Sequence, residues 1–294
     1  MKTGPVLMNA AGWAKTVEHV RALAKVPTIT HIVMGSFTIQ PREGNTGGTN
    51  FDTAPDGTAV NSLGLPNGGI PYLKKHGPEM TRIAQDAGKQ PVISVAGFGP
   101  SEFGTLAKLV QDLGAIAELN VGCPNVHDAG KQKAIISYDW LDLERTLQIV
   151  CHEATPGNPT WVKLSPYSNP LDLEKAARIA NKFVGSLEAL VGCNTFPNVS
   201  MYHDDGRPLL NVANNYAGMS GTSMKWISLS QCRKYRELVH EGISILGAGG
   251  VSGPRDVADY RRVGCEGVQI GAAFFKSENF RVFEEAASAF AEAA

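Results

Sequence analysis

The chain has 294 residues, of which 43% are hydrophobic and 19% charged, and its formal net charge is −1 at pH 7. This composition is typical of a globular protein with a large core. A charge this close to zero argues against nucleic acid or anionic lipid as a partner, because no positive field would draw either to the protein.

The sequence shows no segment typical of membrane insertion or secretion. No apolar run approaches the roughly 18 to 20 residues of a membrane span, and the apolar run near the N-terminus is too short for a signal peptide. The five cysteines, at positions 123, 151, 193, 232 and 265, are scattered, with no CxxC pair and no zinc-site spacing. We therefore expect a cytoplasmic protein with free thiols, no membrane contact and no metal site.

Strand-like and helix-like segments alternate along the chain. The eight predicted strands are Pro5–Asn9, His31–Phe37, Pro91–Ala96, Ala115–Val121, Trp161–Leu164, Leu187–Cys193, Ile243–Leu246 and Gly267–Gly271. The predicted helices are Thr16–Ala24, Glu79–Ala87, a helix capped by Ser101 and followed by Gly114, Asp139–Glu153, Asp172–Phe183, a helix from about Ile227 to Val239, one that opens at Ser252-Gly253-Pro254, and Glu278–Ala291. A long connection rich in Gly, Asn and Thr occupies residues 41–71.

Eight strands, each followed by a helix, predict a (β/α)8 TIM barrel that forms one domain over residues 1–294. A doubly wound parallel sheet is the alternative architecture. Active sites of barrels lie at the C-terminal ends of the strands. The unusual residues of this chain lie at or near those predicted ends, which supports the barrel: Asn9, Ser36, Ser94, Asn120, Cys123, Lys163, Asn194, Gly249, Gly250 and Gly271.

The stretch Glu118-Leu-Asn-Val-Gly-Cys-Pro-Asn125 leaves the predicted fourth strand and is the centre of the predicted site. The Gly and Pro on either side of Cys123 cannot continue a strand. A lone Cys is usually a small buried hydrophobic residue, and this interpretation suits the other four cysteines. Cys123 differs because it stands at a strand exit, between the side-chain amides of Asn120 and Asn125. A thiol in such a place can act as a general base.

Two glycine-rich turns follow the predicted seventh and eighth strands, at Gly247-Ala-Gly-Gly250 and Gly271-Ala-Ala273. The loops after these strands bind phosphate in many barrels through backbone N–H groups. The alternative is that they are only the tight turns that strand exits need. Two such turns in these places favour phosphate binding, without showing which phosphate compound.

Other polar residues near the strand ends also have two interpretations. Lys163 lies in a buried predicted strand, where a Lys is rarely unpaired. Its charge would stabilise a negative charge on a bound group, or it would form a salt bridge to a barrel carboxylate such as Glu118. Asn61 and Asn194, taken singly, are explained by turn chemistry. Together with Asn120 and the amide that follows Cys123, they indicate a ligand with amide-like groups.

These residues resemble the dihydroorotate dehydrogenase family, most closely its soluble class (class 1A) that uses Cys as the base. The resemblance covers nearly the whole chain. It rests on segments whose order along the chain matches the family: Met8–Gly12, Arg42–Asn45, Asn61–Asn67, Glu118–Asn125, Val162–Tyr167, Cys193–Thr195, Gly247–Gly250 and Gln269–Ala272.

The resemblance implies a homodimeric, FMN-dependent oxidoreductase of pyrimidine biosynthesis that oxidises (S)-dihydroorotate to orotate, with fumarate as acceptor. Cys123 would take the proton from C5 while hydride passes from C6 to flavin N5. The residues implied for FMN are Ala10, Ala11, Gly12, Ser36, Asn61, Ser94, Asn120, Lys163, Gly221, Gly249, Gly250, Gly271 and Ala272. The residues implied for the substrate are Asn61, Leu63, Gly64, Leu65, Asn120, Asn125, Asn194 and Thr195.

The chain departs from the family at one position that bears on substrate choice. Gly35 stands where the family has a Lys that reaches substrate and flavin, so Arg42, Lys131 or Lys133 would have to compensate. This departure motivates a second hypothesis, a related flavoenzyme that acts on another dihydropyrimidine or an enone. A third hypothesis is a non-redox barrel that binds a phosphate ligand. Dihydrouridine synthases share barrel, FMN and Cys, but they need a basic RNA surface, which the net charge of −1 argues against.

Overall fold

Eight parallel strands close into a barrel in the structure, a computed structural model. The structure describes residues 6–128, 131–153, 159–212, 216–275 and 279–291. The barrel strands are β1 (Val6–Asn9), β2 (His31–Phe37), β3 (Gln90–Val95), β4 (Ile116–Asn120), β5 (Thr160–Lys163), β6 (Leu187–Val191), β7 (Ser244–Ala248) and β8 (Gly267–Ile270). They pair in chain order, and β8 returns to β1. The predicted (β/α)8 barrel is confirmed, and the doubly wound sheet is excluded because a closed barrel has no sheet edge.

Helices follow every barrel strand. They are α1 (Val17–Ala24), α2 (Gly69–Asp86), α3 (Pro100–Asp112), α4 (Trp140–Glu153), α5 (Pro170–Asn181), α6 (Met224–Leu238), α7 (Pro254–Arg262), the short α8 (Ala272–Phe275) and α9 (Arg281–Ala291). A single 3-10 turn, Ile136–Tyr138, precedes α4. Among the described residues, no helix is both long and apolar enough to cross a bilayer.

The strands alternate between two buried clusters. Val6 and Met8 of β1 belong to a small cluster that also holds Trp161. Leu7 and Ile32 belong to the large cluster, which also contains the apolar faces of the helices. Because successive strand residues point to opposite faces, the small cluster fills the barrel and the large one joins the barrel to its helices.

The contact between β1 and β2 is short and is completed by a side chain. Within the described residues, Met8 and His31 are the only residues of these two strands that lie opposite each other in the ladder. The Asn9 amide extends this contact, since its Nδ2 donates to Val33 O (2.7 Å) and its Oδ1 accepts from Val33 N (3.0 Å). Asn9, singled out in the sequence as a strand-end residue, therefore closes the barrel.

Several predicted helix starts differ from the structure by two or three residues, and that of α2 differs by ten. Helix α2 begins at Gly69 instead of Glu79 and continues through Pro78. A proline inside a helix costs about 3 kcal/mol, but Leu73 and Met80 are fully buried on one face, and each such burial contributes about 1.5–3 kcal/mol. The cap of α3 is Gly99, with no side-chain hydrogen bond, and not the predicted Ser101.

The long connection after β2 contains strands that the sequence did not reveal. Phe51–Thr53 and Thr58–Asn61 form a sheet with Ala217–Gly221 and Phe196–Val199 from the connection after β6. Both connections leave the C-terminal ends of barrel strands, so this sheet lies at the mouth of the barrel. Shorter pairings in these loops join Gly47–Thr49 to Asn211–Val212 and His127–Asp128 to Lys131–Gln132.

Candidate active site

A cavity of about 460 Å³ lies at the C-terminal ends of the barrel strands, within the range of roughly 300–1,000 Å³ typical of ligand sites. The residues predicted for the cofactor that line it are Ala10, Ala11, Gly12, Ser36, Lys163, Gly221, Gly249, Gly250, Gly271 and Ala272. The residues predicted for the substrate, or for both, that line it are Asn61, Leu63, Gly64, Leu65, Asn120, Asn125, Asn194 and Thr195. Ser94 is fully buried outside this wall and reaches the site through Ser36, whose Oγ is 2.9 Å from Ser94 Oγ.

Cys123 lines the same cavity, just after the end of β4. The backbone there passes so close to the exit of β5 that a Cβ atom at Gly122 would lie 2.8 Å from the backbone of Leu164 and Ser165. Only a glycine permits this approach, which places the half-buried thiol at the mouth.

Side-chain amides around the thiol orient one another. Asn194 Nδ2 donates to Asn120 Oδ1 (2.8 Å), and Asn120 Nδ2 donates to Ser36 Oγ (3.0 Å). Asn125 Nδ2 donates to the backbone and side-chain oxygens of Asn61 (2.8 and 2.9 Å). These bonds fix which donors and acceptors remain available to a ligand.

Thr195 leaves a polar atom at the cavity without a partner. Its Oγ1 is buried and makes no hydrogen bond with any described residue. An unsatisfied buried hydroxyl costs about 1–3 kcal/mol. A ligand that hydrogen-bonds this hydroxyl would remove that cost.

The loop after Asn61 has an uncommon backbone. Gly64 and Leu65 both have positive φ, +71° and +59°, which a bulky residue such as Leu rarely adopts. Arg42 Nε donates to Gly64 O (3.2 Å) and helps to hold the turn. Residues in such conformations cluster at ligand sites, and here they bring the loop backbone to the cavity wall.

Lys163 is paired, but not with a carboxylate. Its Nζ donates to Gln269 Oε1 (2.8 Å), and Gln269 Nε2 donates to Glu118 Oε2 (2.5 Å). The side chain of Gln269 therefore links Lys163 to Glu118, in place of the direct salt bridge considered from the sequence. Glu118 Oε1 remains buried without a partner among the described residues.

The glycine turns after β7 and β8 bring the backbone to the cavity wall. Gly249 and Gly250 have φ of +131° and +67°, and a Cβ atom on Gly250 would lie 2.6 Å from Lys225 Cβ. Gly221, also at positive φ (+74°), faces the same turn through its carbonyl oxygen, 2.9 Å from that position. Gly271 follows β8 on the adjacent wall. Backbone N–H groups in such turns bind anions.

The structure adds cavity residues to which the sequence assigned no site role. They include Lys15, Cys193, Gln269 and Phe275. Gln269 belongs to a segment that carries the family resemblance, and this was the one signal for it. Lys15 directly precedes Thr16, the N-cap of α1, and a Lys there looks in the sequence like an ordinary solvated residue.

Two of the cations that the sequence suggested as substitutes at position 35, Arg42 and Lys133, do not line the cavity. The guanidinium carbon of Arg42 lies 5.2 Å and Lys133 Nζ 5.3 Å from the centroid of the Phe98 ring. Both cations therefore lie over the same aromatic ring. The side chain of Lys131 lies outside the described residues.

Protonation at the cavity is set mainly by burial. Burial raises the pKa of Cys123 above its ordinary value of 9.0, although the backbone N–H of Asn125 and the charges of Lys15, Arg42 and Lys163 oppose that rise. Burial lowers the pKa of Lys15 to about 8. The described residues contain no cluster of His, Cys, Asp and Glu that could hold a metal ion.

This barrel mouth is typical of barrel enzymes that bind a phosphorylated ligand at the exits of strands seven and eight. The model of the dihydroorotate dehydrogenase family matches residues 3–288. The chain therefore belongs to the dihydroorotate dehydrogenase family, which consists of flavin-dependent oxidoreductases.

Relatives agree with this assignment, and one solved structure shares the fold. A protein of Streptococcus agalactiae serotype Ia assigned as dihydroorotate dehydrogenase A (fumarate) is 31% identical over 278 residues, which is 92% of this chain and 84% of the relative. A Streptococcus pneumoniae protein with the same assignment is 30% identical over 273 residues, 92% of this chain and 83% of the relative. The crystal structure of an Eimeria tenella DHODH in complex with ferulenol shares the fold, with a TM-score of 0.76 and 16% identity over 98% of this chain and 80% of that chain.

Proposed function

We propose that this chain oxidises (S)-dihydroorotate to orotate in pyrimidine biosynthesis, with FMN as cofactor and fumarate as electron acceptor. The observation that carries the proposal is the cavity itself, where the thiol of Cys123 and the amides of four asparagines share one wall. A dihydropyrimidine ring alternates N–H and C=O groups, and Asn offers both a donor and an acceptor. The relatives assigned as fumarate-dependent enzymes support this substrate and this acceptor.

The residues at the mouth fit FMN. The glycine turns after β7 and β8 line the cavity, where their backbone N–H groups could bind a phosphate. The buried Lys163, held by Gln269 at 2.8 Å, would meet the polar edge of the flavin ring, while Gly12 would lie under the ring. When bound, FMN supplies the hydride acceptor, N5, and carries the electron pair to fumarate.

Cys123 would act as the base of the reaction. Its thiol first loses a proton to solvent, and the thiolate then takes the proton from C5 of the substrate. As the C5–H bond breaks and hydride leaves C6, the C5=C6 double bond of orotate forms and the proton stays on Sγ. A positioned general base typically contributes about 100-fold or more to the rate. The amides of Asn120 and Asn125 would hold the ring so that C5 faces the sulfur.

We further propose that the whole chain, residues 1–294, forms one FMN-binding barrel domain and works as a cytoplasmic homodimer. Its partners would be small molecules, with no nucleic acid and no membrane. The net charge of −1 supports the absence of nucleic acid, because non-specific binding to phosphate backbones requires a basic surface. The relatives match this chain over most of both lengths, which supports a single functional unit.

Cofactor content and turnover test this proposal. The purified protein should be yellow, release FMN on denaturation, and convert dihydroorotate and fumarate into equal amounts of orotate and succinate. A quinone should not replace fumarate. A colourless protein that takes up no FMN would contradict the proposal and favour a non-redox barrel that binds a phosphate ligand.

Gly35 motivates a second candidate, a related FMN oxidoreductase that acts on another dihydropyrimidine or an enone. Its backbone, at φ +96°, has no room for a side chain, since a Cβ atom would lie 2.5 Å from Ser94 O. The Lys that the family carries there is therefore absent from this position. A yellow protein that reacts with such a compound, but whose flavin dihydroorotate leaves oxidised, would favour this candidate.

A further inference from the structure

Lys15 reaches the cavity from the segment between β1 and α1. Ala14 pairs with Met34, Gly35 N donates to Ala14 O (2.8 Å), and Gly12 N donates to Gly35 O (2.6 Å). Residues 12–14 therefore run alongside the end of β2, where Gly35 contributes no side chain. Lys15 follows directly and lines the cavity together with Cys123.

Among the described residues, the ammonium group of Lys15 has no partner, unlike those of the buried lysines. Lys89 donates to two backbone carbonyls, Lys163 to a glutamine side chain, and Lys225 forms ion pairs with two aspartates. For the half-buried Lys15, the described residues provide neither a carboxylate nor a hydrogen-bond acceptor for Nζ. A cation that is withdrawn from water and left unpaired is costly, and it becomes favourable when an anion binds next to it.

The same ammonium group is the strongest cationic influence on the thiol. Among the charges that lower the pKa of Cys123, that of Lys15 ranks ahead of those of Arg42 and Lys163. Arg42 and Lys133 lie over Phe98 and not in the cavity wall. Lys15 is therefore the cation best placed to meet negative charge beside the sulfur.

We propose that Lys15 is the cation by which the cavity recognises an anionic substrate next to Cys123. This inference rests on the proposed function for the identity of the anion, which is the carboxylate of dihydroorotate. That carboxylate is attached to C6, and C6 is bonded to C5, whose proton Cys123 takes. An ammonium group close to the thiol is therefore close to the carboxylate, and it selects a charged ring over the same ring without the carboxylate.

Alkylation of Cys123 in the holoenzyme tests the charge without any substrate. Iodoacetate is an anion and iodoacetamide is neutral, but both react with the same thiolate. A change in the thiol pKa therefore alters both rates by the same factor and leaves their ratio unchanged. With Cys123 labelling measured by peptide mass spectrometry near pH 7, Lys15→Gln and Lys15→Met should lower the iodoacetate-to-iodoacetamide ratio by about fivefold or more. Lys15→Arg should preserve most of it, and Lys133→Gln should not change it.

Two results would overturn the inference. One is an unchanged ratio in both neutral variants. The other is an equal fall of the ratio in Arg42→Gln, which would assign the charge to Arg42. The wild-type protein gives a readout that does not depend on whether the variants fold, since its ratio should fall as the pH rises through about 8, the pKa to which burial lowers Lys15. A wild-type ratio that stays constant across this range would also contradict the inference.

Ligand binding separates this inference from the proposed function. Lys15→Gln should weaken orotate binding by about tenfold or more and leave the binding of uracil, the same ring without the carboxylate, unchanged. If dihydroorotate fails to reduce the wild-type flavin while the alkylation ratio falls in Lys15→Gln, the proposed function fails and the anion site stands. If dihydroorotate reduces the flavin and the ratio is unchanged, the proposed function stands and the role of Lys15 is rejected.

Discussion

Cys123 and Cys193 are two thiols in one cavity wall, and their surroundings separate their roles. Cys193 is nearly fully buried, and burial raises its pKa to about 12. Its Sγ lies 3.9 Å from Ala248 O as a weak donor. Cys123 is half-buried and lies near cations that oppose the effect of burial. Only Cys123 is therefore suited to give up and regain a proton.

The substitution Cys123→Ala should keep FMN bound and slow the anaerobic reduction of the flavin by dihydroorotate by about 100-fold or more, because the base is lost. Stopped-flow absorbance of the flavin measures this rate. Cys193→Ala is the matched control, since it removes a thiol from the same cavity and should change the rate little. A Cys123→Ala enzyme that is reduced at the wild-type rate would show that another group takes the proton.

The pH dependence follows from the two shifted pKa values. Cys123 must be deprotonated, and burial places its pKa above 9.0, so the second-order rate constant of reduction should rise with pH through the neutral range. Lys15 must be protonated, and its pKa is about 8, so the rise should flatten above about pH 8. In Lys15→Gln the flattening should disappear. A rate constant that falls with pH between pH 6 and 8 would contradict the assignment of a thiolate base.

At the scale of elements, the site depends on glycine turns, in which backbone groups and not side chains would contact the ligand. The turn after β7 meets the N-terminal end of α6, where Lys225 forms ion pairs of 2.7 Å with Asp256 and Asp259 of α7. Since Gly250 packs against Lys225, these ion pairs hold the backbone of the turn in place on the side opposite the cavity. We interpret it as the support of the proposed phosphate site.

Gly250→Ala tests this interpretation. The new Cβ atom would lie 2.6 Å from Lys225 Cβ at a φ of +67°, so left-handed strain and overpacking together should lower the free energy of unfolding by about 2–4 kcal/mol. FMN should also be lost more readily on dialysis. Gly88→Ala is the matched control, because Gly88 has a φ of +72° with nothing within 4 Å; it should cost about 1 kcal/mol and leave FMN binding intact. Equal effects of the two substitutions would argue against a supported phosphate turn.

At the scale of the whole molecule, the barrel could be predicted because its strands are short apolar runs separated by helical periodicity. β2 begins and ends at the predicted residues. Most of the predicted cavity residues also line the observed cavity, because barrel topology brings all C-terminal strand ends to one mouth. The family resemblance supplied the roles that composition and spacing could not.

Features that depend on contacts between distant segments could not be predicted. The sheet at the mouth pairs Thr58–Asn61 with Ala217–Gly221, and neither segment has the alternation of a half-buried strand. Helix α2 runs through a proline that locally signals a boundary. Lys15 becomes a cavity residue only because residues 12–14 pair with the end of β2, and no local pattern records that pairing.

The most direct test of the central claim, that this cavity holds FMN next to a thiol and oxidises dihydroorotate, is an anaerobic titration of the yellow holoenzyme followed by flavin absorbance. We predict that dihydroorotate bleaches the flavin, with an end point at one substrate molecule per flavin and an equal amount of orotate formed. A flavin that stays fully oxidised in excess dihydroorotate would contradict the account.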